Sequence, residues 1–351
     1  MQIYDTKVNH LTNPLGFRME RTVFSWKVKE AKGTRQSAAR IRIASDAEME
    51  GILYDSGWDK EADSLAFPVK MELKPRTRYY WTVAVESDAG EQAVSDVQWF
   101  ETAKREENWV GKWITCDSTE KRHPYFEKEI GPAEGKEVAK ARLYISGLGL
   151  YEAFYNGERI GNEYFTPYSN DYNEWVQYQT YDVTEQMKHS GTLSVLLGNG
   201  WYKGILGFYC KPNQYGDRVG AFAEIHLEYE DGTREVIGTD ESWNARTGEV
   251  RYSEIYMGET IDTTAGEAQD REQSGIRTGA VSVMEFDKST LTAQENEPVR
   301  ITERIPAKKL IVTPKGEKLV DFGQNLTGLA EVKVHGQKGQ KIVIRHAEVL
   351  D

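Results

Sequence analysis

The longest stretch of regular patterning in the chain runs from Leu143 to Gly204. Apolar residues alternate with small or polar ones from Leu143 to Tyr155, which predicts a β-strand buried on one face. Asn156-Gly157 follows, and this dipeptide predicts a tight hairpin because both positions tolerate positive φ. Two more strands are predicted at residues 175–183 and 192–197, with a short helical turn between them.

Two loops are expected to meet at one edge of this sheet. The first loop is Gly161–Tyr172 and the second loop is Gly198–Phe208. Both carry aromatic rings beside amide and carboxylate oxygens, and a sugar offers apolar C–H faces ringed by hydroxyls. Trp201 and Tyr202 are therefore candidate sugar-stacking residues. The alternative is that they are core or rim aromatics of a β-sandwich.

Several motifs in this region occur together and in order: SGLGLYEAFYNGERIGNEYFTP, VQYQTYDVT and LLGNGWYKG. This combination resembles the jelly-roll domain near the N-terminus of bacterial α-L-rhamnosidases, glycoside hydrolase family 78. The segment Ser253–Asp262 is similar to the segment that closes this domain, with Ile261 in place of the usual tyrosine. DFGQNLTG, from Asp321, and RHAEVL, from Arg345, resemble motifs that open the third β-domain of the same enzymes.

The chain up to about Ala103 contains alternating strand-like runs separated by turn-rich segments, which is typical of an antiparallel sandwich. The run Leu73–Trp81 resembles a motif of fibronectin type III domains, in which the tyrosine, here Tyr79, fixes the loop before a central strand. We expect this domain to act as a spacer. Lys104–Asn108 is interpreted as a charged linker because its composition differs from that of the flanking strands.

The predicted fold class is therefore all-β, with little helix. The expected order is a fibronectin-III-like sandwich, a jelly-roll β-sandwich and the start of a further β-sandwich domain. The expected boundaries are 1–104 for the first domain, 105–264 for the jelly roll, 265–298 for a connection and 299–351 for the beginning of the third domain.

The charge balance argues against two classes of partner. There are 44 Lys and Arg residues against 56 Asp and Glu, which gives a net charge of −12. This charge repels phosphate backbones and anionic lipid, so neither nucleic acid nor a membrane is expected as a partner. The N-terminus shows neither a basic nor an apolar signal segment, which predicts a cytoplasmic protein unless an N-terminal segment has been trimmed. Cys116 and Cys210 are interpreted as two isolated buried thiols, with a disulfide as the alternative.

No motif in the sequence carries catalytic chemistry on its own. Glycoside hydrolysis needs an acid and a base that face one pocket. The resemblance implies that both carboxylates lie in an (α/α)6 barrel that follows the β-domains, and these 351 residues hold no counterpart of that barrel. We therefore assign no catalytic residue and expect the chain to be inactive alone. Its expected partners are rhamnose-containing glycosides and the missing C-terminal catalytic barrel.

The resemblance also implies one noncatalytic site. Related jelly rolls in some family members bind rhamnose with the help of calcium, through an acidic residue and an amide in the first loop and an asparagine in the second. The positions that match loosely are Asn162, Glu163 and Asn199, with the amide and the acid in reversed order. Calcium, which takes six to eight oxygen ligands, is thus the one candidate cofactor. The alternative is that these asparagines only make turn hydrogen bonds.

The function expected from the sequence is that of the noncatalytic N-terminal portion of an α-L-rhamnosidase, which supports or extends the substrate cleft. The rival function is that of a free-standing carbohydrate-binding or adhesion protein.

Overall fold

The structure, a computed structural model, describes residues 1–117, 123–263 and 278–348. It divides into two compact units, Met1–Pro298 and Val299–Asp351. In the described ranges, β-strands account for nearly all the regular structure, and the α-helical part is the four-residue α1 (Gly200–Lys203). The predicted all-β class is confirmed. In these ranges, no helix combines the length and the apolar character needed to cross a membrane.

The first domain is a sandwich of two sheets, in the orders β1-β3-β6 and β2-β9-β7-β4-β5, with β8 paired to β7. Its strands are β1 (Gln2–Val8), β2 (Leu15–Phe17), β3 (Thr22–Lys29), β4 (Gln36–Ala44), β5 (Ile52–Asp55), β6 (Phe67–Val69), β7 (Arg78–Ser87), β8 (Gln92–Val94) and β9 (Gln98–Thr102). The alternating side chains of β3 and β7 place Phe24 and Trp81 in its core. The Tyr79 hydroxyl accepts a hydrogen bond from the Lys74 N–H at 2.8 Å, as predicted for the loop before β7.

The second domain is a twelve-stranded jelly roll in the order β14-β13-β16-β11-β19-β22-β10-β17-β12-β15-β23, with β18 paired to β17. Its strands are β10 (Ile114–Cys116), β11 (Pro124–Ile130), β12 (Val138–Leu148), β13 (Leu150–Tyr155), β14 (Glu158–Arg159), β15 (Val176–Asp182), β16 (Gly191–Gly198), β17 (Gly220–Tyr229), β18 (Arg234–Gly238), β19 (Asn244–Thr247), β22 (Thr278–Val283) and β23 (Leu291–Ala293). A separate hairpin joins β20 (Val250–Glu254) to β21 (Gly258–Ile261). One apolar core lies between the two halves of the sheet.

The predicted hairpin is present. Asn156 and Gly157 have φ values of 51° and 82°, and Tyr155 pairs with Glu158 across the turn. The predicted helical turn is the 3-10 turn Gln186–Lys188. Gly149 separates β12 from β13 at a φ of 127°, and a Cβ there would lie 2.3 Å from the Gly198 carbonyl oxygen. Only glycine allows the two chains to approach this closely.

The stretch from 265 to 298 differs from the connection that was expected. Residues 264–277 lie outside the described residues, but β22 pairs with both β19 and β10 and so joins the two halves of the sheet. β23 adds a parallel strand beside β15. Their apolar side chains contribute to the packing, with Val281 of β22 against the main apolar core and Ala293 of β23 buried in a smaller cluster.

One residue of the segment interpreted as a charged linker, Lys104, is buried at the joint between the two domains, whereas Arg105, Glu106 and Asn108 are exposed. Lys104 is 0% exposed and forms an ion pair with Glu224, which is also 0% exposed. The Glu224 carboxylate accepts further hydrogen bonds from the N–H groups of Val110 and Gly111, at 2.7 and 3.0 Å. Lys104 thus differs from the solvated linker residue that composition suggested, because a carboxylate of the second domain compensates its charge.

A second buried carboxylate fixes the same joint. Glu101, on β9 of the first domain, accepts hydrogen bonds from Arg142 on β12 at 2.8 and 3.0 Å and from Arg78 at 3.0 Å. Burial raises the pKa of Glu101, but Arg142 and the neighbouring cations outweigh burial and lower it. The two domains are therefore joined through ionised, hydrogen-bonded groups rather than through a flexible tether.

The cysteines are both free, and Cys210 is exposed rather than buried as expected. Cys116 is half-buried, and burial raises the pKa of its thiol to about 11.

Within residues 299–348, the described part of the second unit, the regular structure is one hairpin, β24 (Lys309–Val312) and β25 (Lys318–Asp321). Several of its apolar side chains remain exposed, including Leu310, Val332 and Ile344. A single hairpin cannot cover such a surface.

Candidate functional site

The two loops singled out from the sequence lie together. β13 and β16 are paired, with Leu150 opposite Gly198, so the first and second loops leave the same part of the sheet. The rings of Phe165 in the first loop and Trp201 in the second are 6.4 Å apart between centroids. Tyr172 and Tyr202 pack edge to face at 5.0 Å. The folded chain thus brings aromatic and polar groups from both loops to one place.

The two aromatic candidates occupy different environments. Tyr202 is 3% exposed and packs in an aromatic cluster with Trp113, Tyr172 and Phe222. Its ring therefore has almost no free face for a sugar, in agreement with the alternative of core packing. Trp201 lies at the margin of this cluster, and its neighbour Phe165 is 49% exposed. The exposed aromatic side chains of the two loops are Phe165 and Phe208, and Trp201 lies half-buried beside Phe165.

Asn199 forms a hydrogen bond with Glu254, a carboxylate that was not predicted from the sequence to be part of the site. Its side-chain N–H donates to Glu254 Oε1 at 2.6 Å, and the Ile205 N–H donates to Glu254 Oε2 at 3.0 Å. Glu254 lies at the end of β20 and is 9% exposed. It therefore fixes both ends of the turn that contains α1. The resemblance at Ser253–Asp262 marked this segment, but only the folded structure shows which loop the carboxylate reaches.

Asn162 and Glu163 are adjacent in the sequence but differ in exposure. Asn162 is exposed, whereas Glu163 is 7% exposed and accepts a hydrogen bond from the Tyr168 hydroxyl at 2.7 Å. Gln294 Nε2 in turn donates to the Tyr168 oxygen at 3.4 Å. The Glu163 carboxylate therefore belongs to a buried polar network that shapes the first loop.

Glu163 and Asn199 already take part in hydrogen bonds: Glu163 Oε2 accepts from the Tyr168 hydroxyl, and the Asn199 side-chain N–H donates to Glu254. The second of these bonds does not use Asn199 Oδ1, the atom that would ligate calcium. Calcium requires six to eight oxygens that converge on one point. Across the described ranges, no group of three or more His, Cys, Asp or Glu side chains is placed to hold a metal.

A second concave region lies at the domain joint. It is a cleft of about 690 Å³ whose lining includes Arg78, Glu101, Lys140, Arg142 and Asp182. Its carboxylates are paired with its cations, with Lys140 3.1 Å from Glu101 and Arg142 2.8 Å from Asp182. A general acid for glycoside hydrolysis needs a raised pKa, whereas the pKa values of Glu101 and Asp182 are lowered because their cationic and hydrogen-bonding partners outweigh burial. The ion pairs in this cleft connect the first domain to the second, and neither carboxylate suits a general acid.

Three family models match the chain in order. The first is described as a Rha78A-like N-terminal immunoglobulin domain and matches residues 3–106. The second, an alpha-L-rhamnosidase N-terminal domain, matches residues 136–303. The third, a bacterial alpha-L-rhamnosidase concanavalin-like domain, matches residues 311–351.

Two curated proteins named alpha-L-rhamnosidase align with this chain. An alpha-L-rhamnosidase from Formosa agariphila is 30% identical over 382 residues, which include 98% of this chain and 40% of that protein. Another, from Streptomyces avermitilis, is 38% identical over 224 residues, which include 62% of this chain and 21% of that protein. The chain thus spans at most about two fifths of the length of these relatives.

Two solved rhamnosidase structures share the fold of this chain. The native rhamnosidase from Aspergillus terreus superposes with a TM-score of 0.79 at 26% identity, over 93% of this chain and 39% of that one. The Streptomyces avermitilis alpha-L-rhamnosidase, solved in complex with L-rhamnose, superposes with a TM-score of 0.76 at 24% identity, over 92% of this chain and 49% of that one. At 24% identity, the similarity to the Streptomyces avermitilis structure is evidence for the fold alone.

Proposed function

The chain belongs to the bacterial α-L-rhamnosidase family, and on that premise we propose that it is the noncatalytic N-terminal portion of an enzyme that removes terminal α-L-rhamnosyl residues from glycosides. In this proposal the two β-domains support or extend the substrate cleft of a catalytic (α/α)6 barrel outside these 351 residues. The observation that carries the proposal is the ordered match of three rhamnosidase domain models along one chain.

The domain joint supports a mechanical role. Glu101 and Glu224 are both almost fully buried and ionised, and each receives hydrogen bonds that link the first domain or its connecting segment to the second. A joint of this kind holds the jelly roll in a fixed orientation. A rigid jelly roll can present its loops to one side of a substrate cleft, which a flexibly tethered module cannot do.

This supporting role can be measured in the whole enzyme. Replacing Arg142 by Met in the full-length protein should loosen the joint without touching a catalytic group, because Arg142 contacts Glu101 and Asp182. If the β-domains position part of the cleft, KM for a rhamnosyl glycoside should rise while kcat changes little. Unchanged KM in a variant that scattering shows to be loosened would contradict the supporting role.

The loops are the proposed place for any sugar that this chain binds. Trp201 offers a partly exposed ring beside Phe165, and Asn199 and Asn162 offer amide groups to hydroxyls. Calcium ligation by Asn162, Glu163 and Asn199 stays a prediction.

Calorimetric titration with L-rhamnose, first with calcium and then with chelator, tests this site. Asn199→Ala should abolish binding, because it removes both the amide offered to the sugar and the hydrogen bond to Glu254 Oε1. The matched control is Asn173→Ala, an exposed asparagine just after the first loop. Rhamnose binding that is unchanged in Asn199→Ala would place the site elsewhere. Rhamnose binding that is unchanged by the chelator would show that calcium is not needed.

The rival function is a free-standing carbohydrate-binding or adhesion protein. The sequence of the encoding gene distinguishes this function from the rhamnosidase proposal. The rhamnosidase proposal requires the gene to continue past Asp351 into a helical-repeat region. A cytoplasmic location also stays a proposal, and cell fractionation tests it.

A further inference from the structure

Two bulky residues of the first loop have a strained backbone. Phe165 and Tyr168 have φ values of 63° and 71°, in the left-handed region that residues with a bulky side chain rarely adopt. Such a conformation costs free energy and persists only where the surrounding structure holds it in place. The contacts made by this part of the first loop therefore show what its conformation depends on.

Asn170 holds the strained part of the first loop through its side chain. Its Nδ2 donates hydrogen bonds to the carbonyl oxygens of Pro167 and Tyr168, both at 3.2 Å, and its Oδ1 accepts the Gln177 N–H at 3.1 Å. Asn170 and Gln177 are each 5% exposed, so water competes little for these bonds. The loop is thereby attached to the start of β15.

One peptide group connects Gln177 to the first domain. The Glu295 N–H donates to Gln177 Oε1 at 2.9 Å, and the Gln294 carbonyl, which belongs to the same peptide group, accepts the Arg18 N–H at 2.9 Å. Arg18 directly follows β2 of the first domain and also forms an ion pair with Glu295. Hydrogen bonds in such a chain polarise and strengthen one another. A continuous hydrogen-bonded path therefore runs from Arg18 to the strained part of the first loop.

The path crosses a closely packed part of the domain joint. A Cβ added to Gly16 on β2 would lie 2.1 Å from Thr180 Oγ1 on β15. Gln294 is 2% exposed, and its N–H donates to the Tyr178 carbonyl, also on β15, at 3.2 Å. A shift of β2 relative to β15 would therefore disturb the peptide group that carries the path.

We propose that this hydrogen-bonded path makes the conformation of the first loop depend on how the first domain packs against β15. Asn170 and Gln177 are positioning residues that act on the loop, and a break in the path lets its strained residues relax. The proposal goes beyond the supporting role of the β-domains, because it gives the first domain, expected from the sequence to be a spacer, control over a loop of the second domain. It holds whatever the first loop binds.

Hydrogen exchange in the 351-residue chain, followed by mass spectrometry at residue resolution, tests the proposal. Gly16→Ala should push β2 away from Thr180 and raise the exchange rate of the Tyr168 N–H, which donates to the Phe165 carbonyl at 2.6 Å. The expected rise is about fivefold, the factor that corresponds to one net hydrogen bond. Gly90→Ala is the matched control and should leave this rate unchanged. Gly90 has a φ of 77°, close to the 72° of Gly16, but a Cβ there meets nothing within 4 Å.

A double substitution tests the route through Gln177. Gln177→Met removes the acceptor of the Glu295 N–H and should by itself raise the exchange rate of the Tyr168 N–H. Adding Gly16→Ala to Gln177→Met should then raise this rate little further, because the path is already broken.

A second pair of variants serves if Gly16→Ala does not fold. Arg18→Ala removes the ion pair with Glu295 across the joint, and Arg40→Ala removes an ion pair with Asp55 within the first domain. Arg18→Ala should raise the exchange rate of the Tyr168 N–H, and Arg40→Ala should not.

The outcomes decide the two parts of the proposal. A Tyr168 N–H exchange rate that is unchanged by the joint variant, or that rises equally in its control, overturns the dependence of the first loop on the first domain. Rises that add in the variant carrying both Gly16→Ala and Gln177→Met overturn the role of Gln177.

Discussion

Replacing Lys104 by Met should destabilise the unit Met1–Pro298 by about 3–5 kcal/mol, the cost of leaving one charge of a buried pair without its partner. Both side chains of the Lys104–Glu224 pair are at most 1% exposed, so water cannot replace the lost ammonium group. The lower end of the range is expected, because Glu224 keeps hydrogen bonds from Val110 N–H and Gly111 N–H. Urea unfolding followed by tryptophan fluorescence measures the loss.

The matched control is Lys112→Met. Lys112 pairs with Glu241, but these side chains are 49% and 55% exposed, and such a surface pair contributes about 0–1 kcal/mol. Lys104→Met combined with Glu224→Gln should recover part of the stability, since no unpaired charge remains buried. A loss for Lys104→Met no larger than that for Lys112→Met would refute the account of the joint.

The pair also predicts a pH dependence. Burial raises the pKa of Glu224, but hydrogen bonds from His226, Lys104 and the Gly111 N–H outweigh burial and lower it to about 2. A lowered carboxyl pKa adds stability that is full above the unfolded value of about 4.3 and is lost as the pH falls towards 2. In Lys104→Met the pKa of folded Glu224 should lie closer to the unfolded value, so less stability should be lost as the pH falls.

Three further predictions concern single contacts. Burial lowers the pKa of His123, whose neutral Nε2 accepts the Ser253 N–H at 2.9 Å. The contribution of His123 to stability should therefore be full above about pH 6.5 and fall as the pH drops below it. His123→Gln should flatten this dependence of stability on pH in unfolding experiments at about pH 5–7. Tyr79→Phe removes the acceptor of the Lys74 N–H and should cost about 1 kcal/mol by urea unfolding, and an unchanged midpoint would show that this bond adds nothing. Gly149→Ala should cost about 1–3 kcal/mol, because the backbone there has a φ of 127° and meets the Gly198 carbonyl; a melting temperature equal to wild type would contradict the close approach.

Local patterns predicted much of the fold. The hairpin at Asn156-Gly157, the strand alternation around it and the Tyr79 contact all depend on residues that are close in sequence. The positions of β22 and β23 in the sheet could not be predicted in this way, because they depend on pairing with strands that are distant in the sequence. From its composition, Lys104 was interpreted as part of a charged linker. The burial of Lys104 could not be predicted, because its charge is compensated by Glu224, which lies 120 residues later in the sequence.

The candidate site was predicted at the level of loops rather than of side chains. The first and second loops meet as expected, because strand pairing brings their ends together. Tyr202 and Trp201 are neighbours in the sequence, but Tyr202 turns into the core while Trp201 lies at its margin. Glu254 was missed because its contact with Asn199 joins strands that are 55 residues apart.

The most direct test of the account is the hydrolysis of an aryl α-L-rhamnoside by the 351-residue chain, assayed beside the full-length protein from the same gene. The account predicts turnover by the full-length protein and none by this chain, because the buried carboxylates of its domain joint are ionised partners of cations and no residue here is assigned as acid or base. Turnover by this chain at a rate comparable to that of the full-length protein would contradict it.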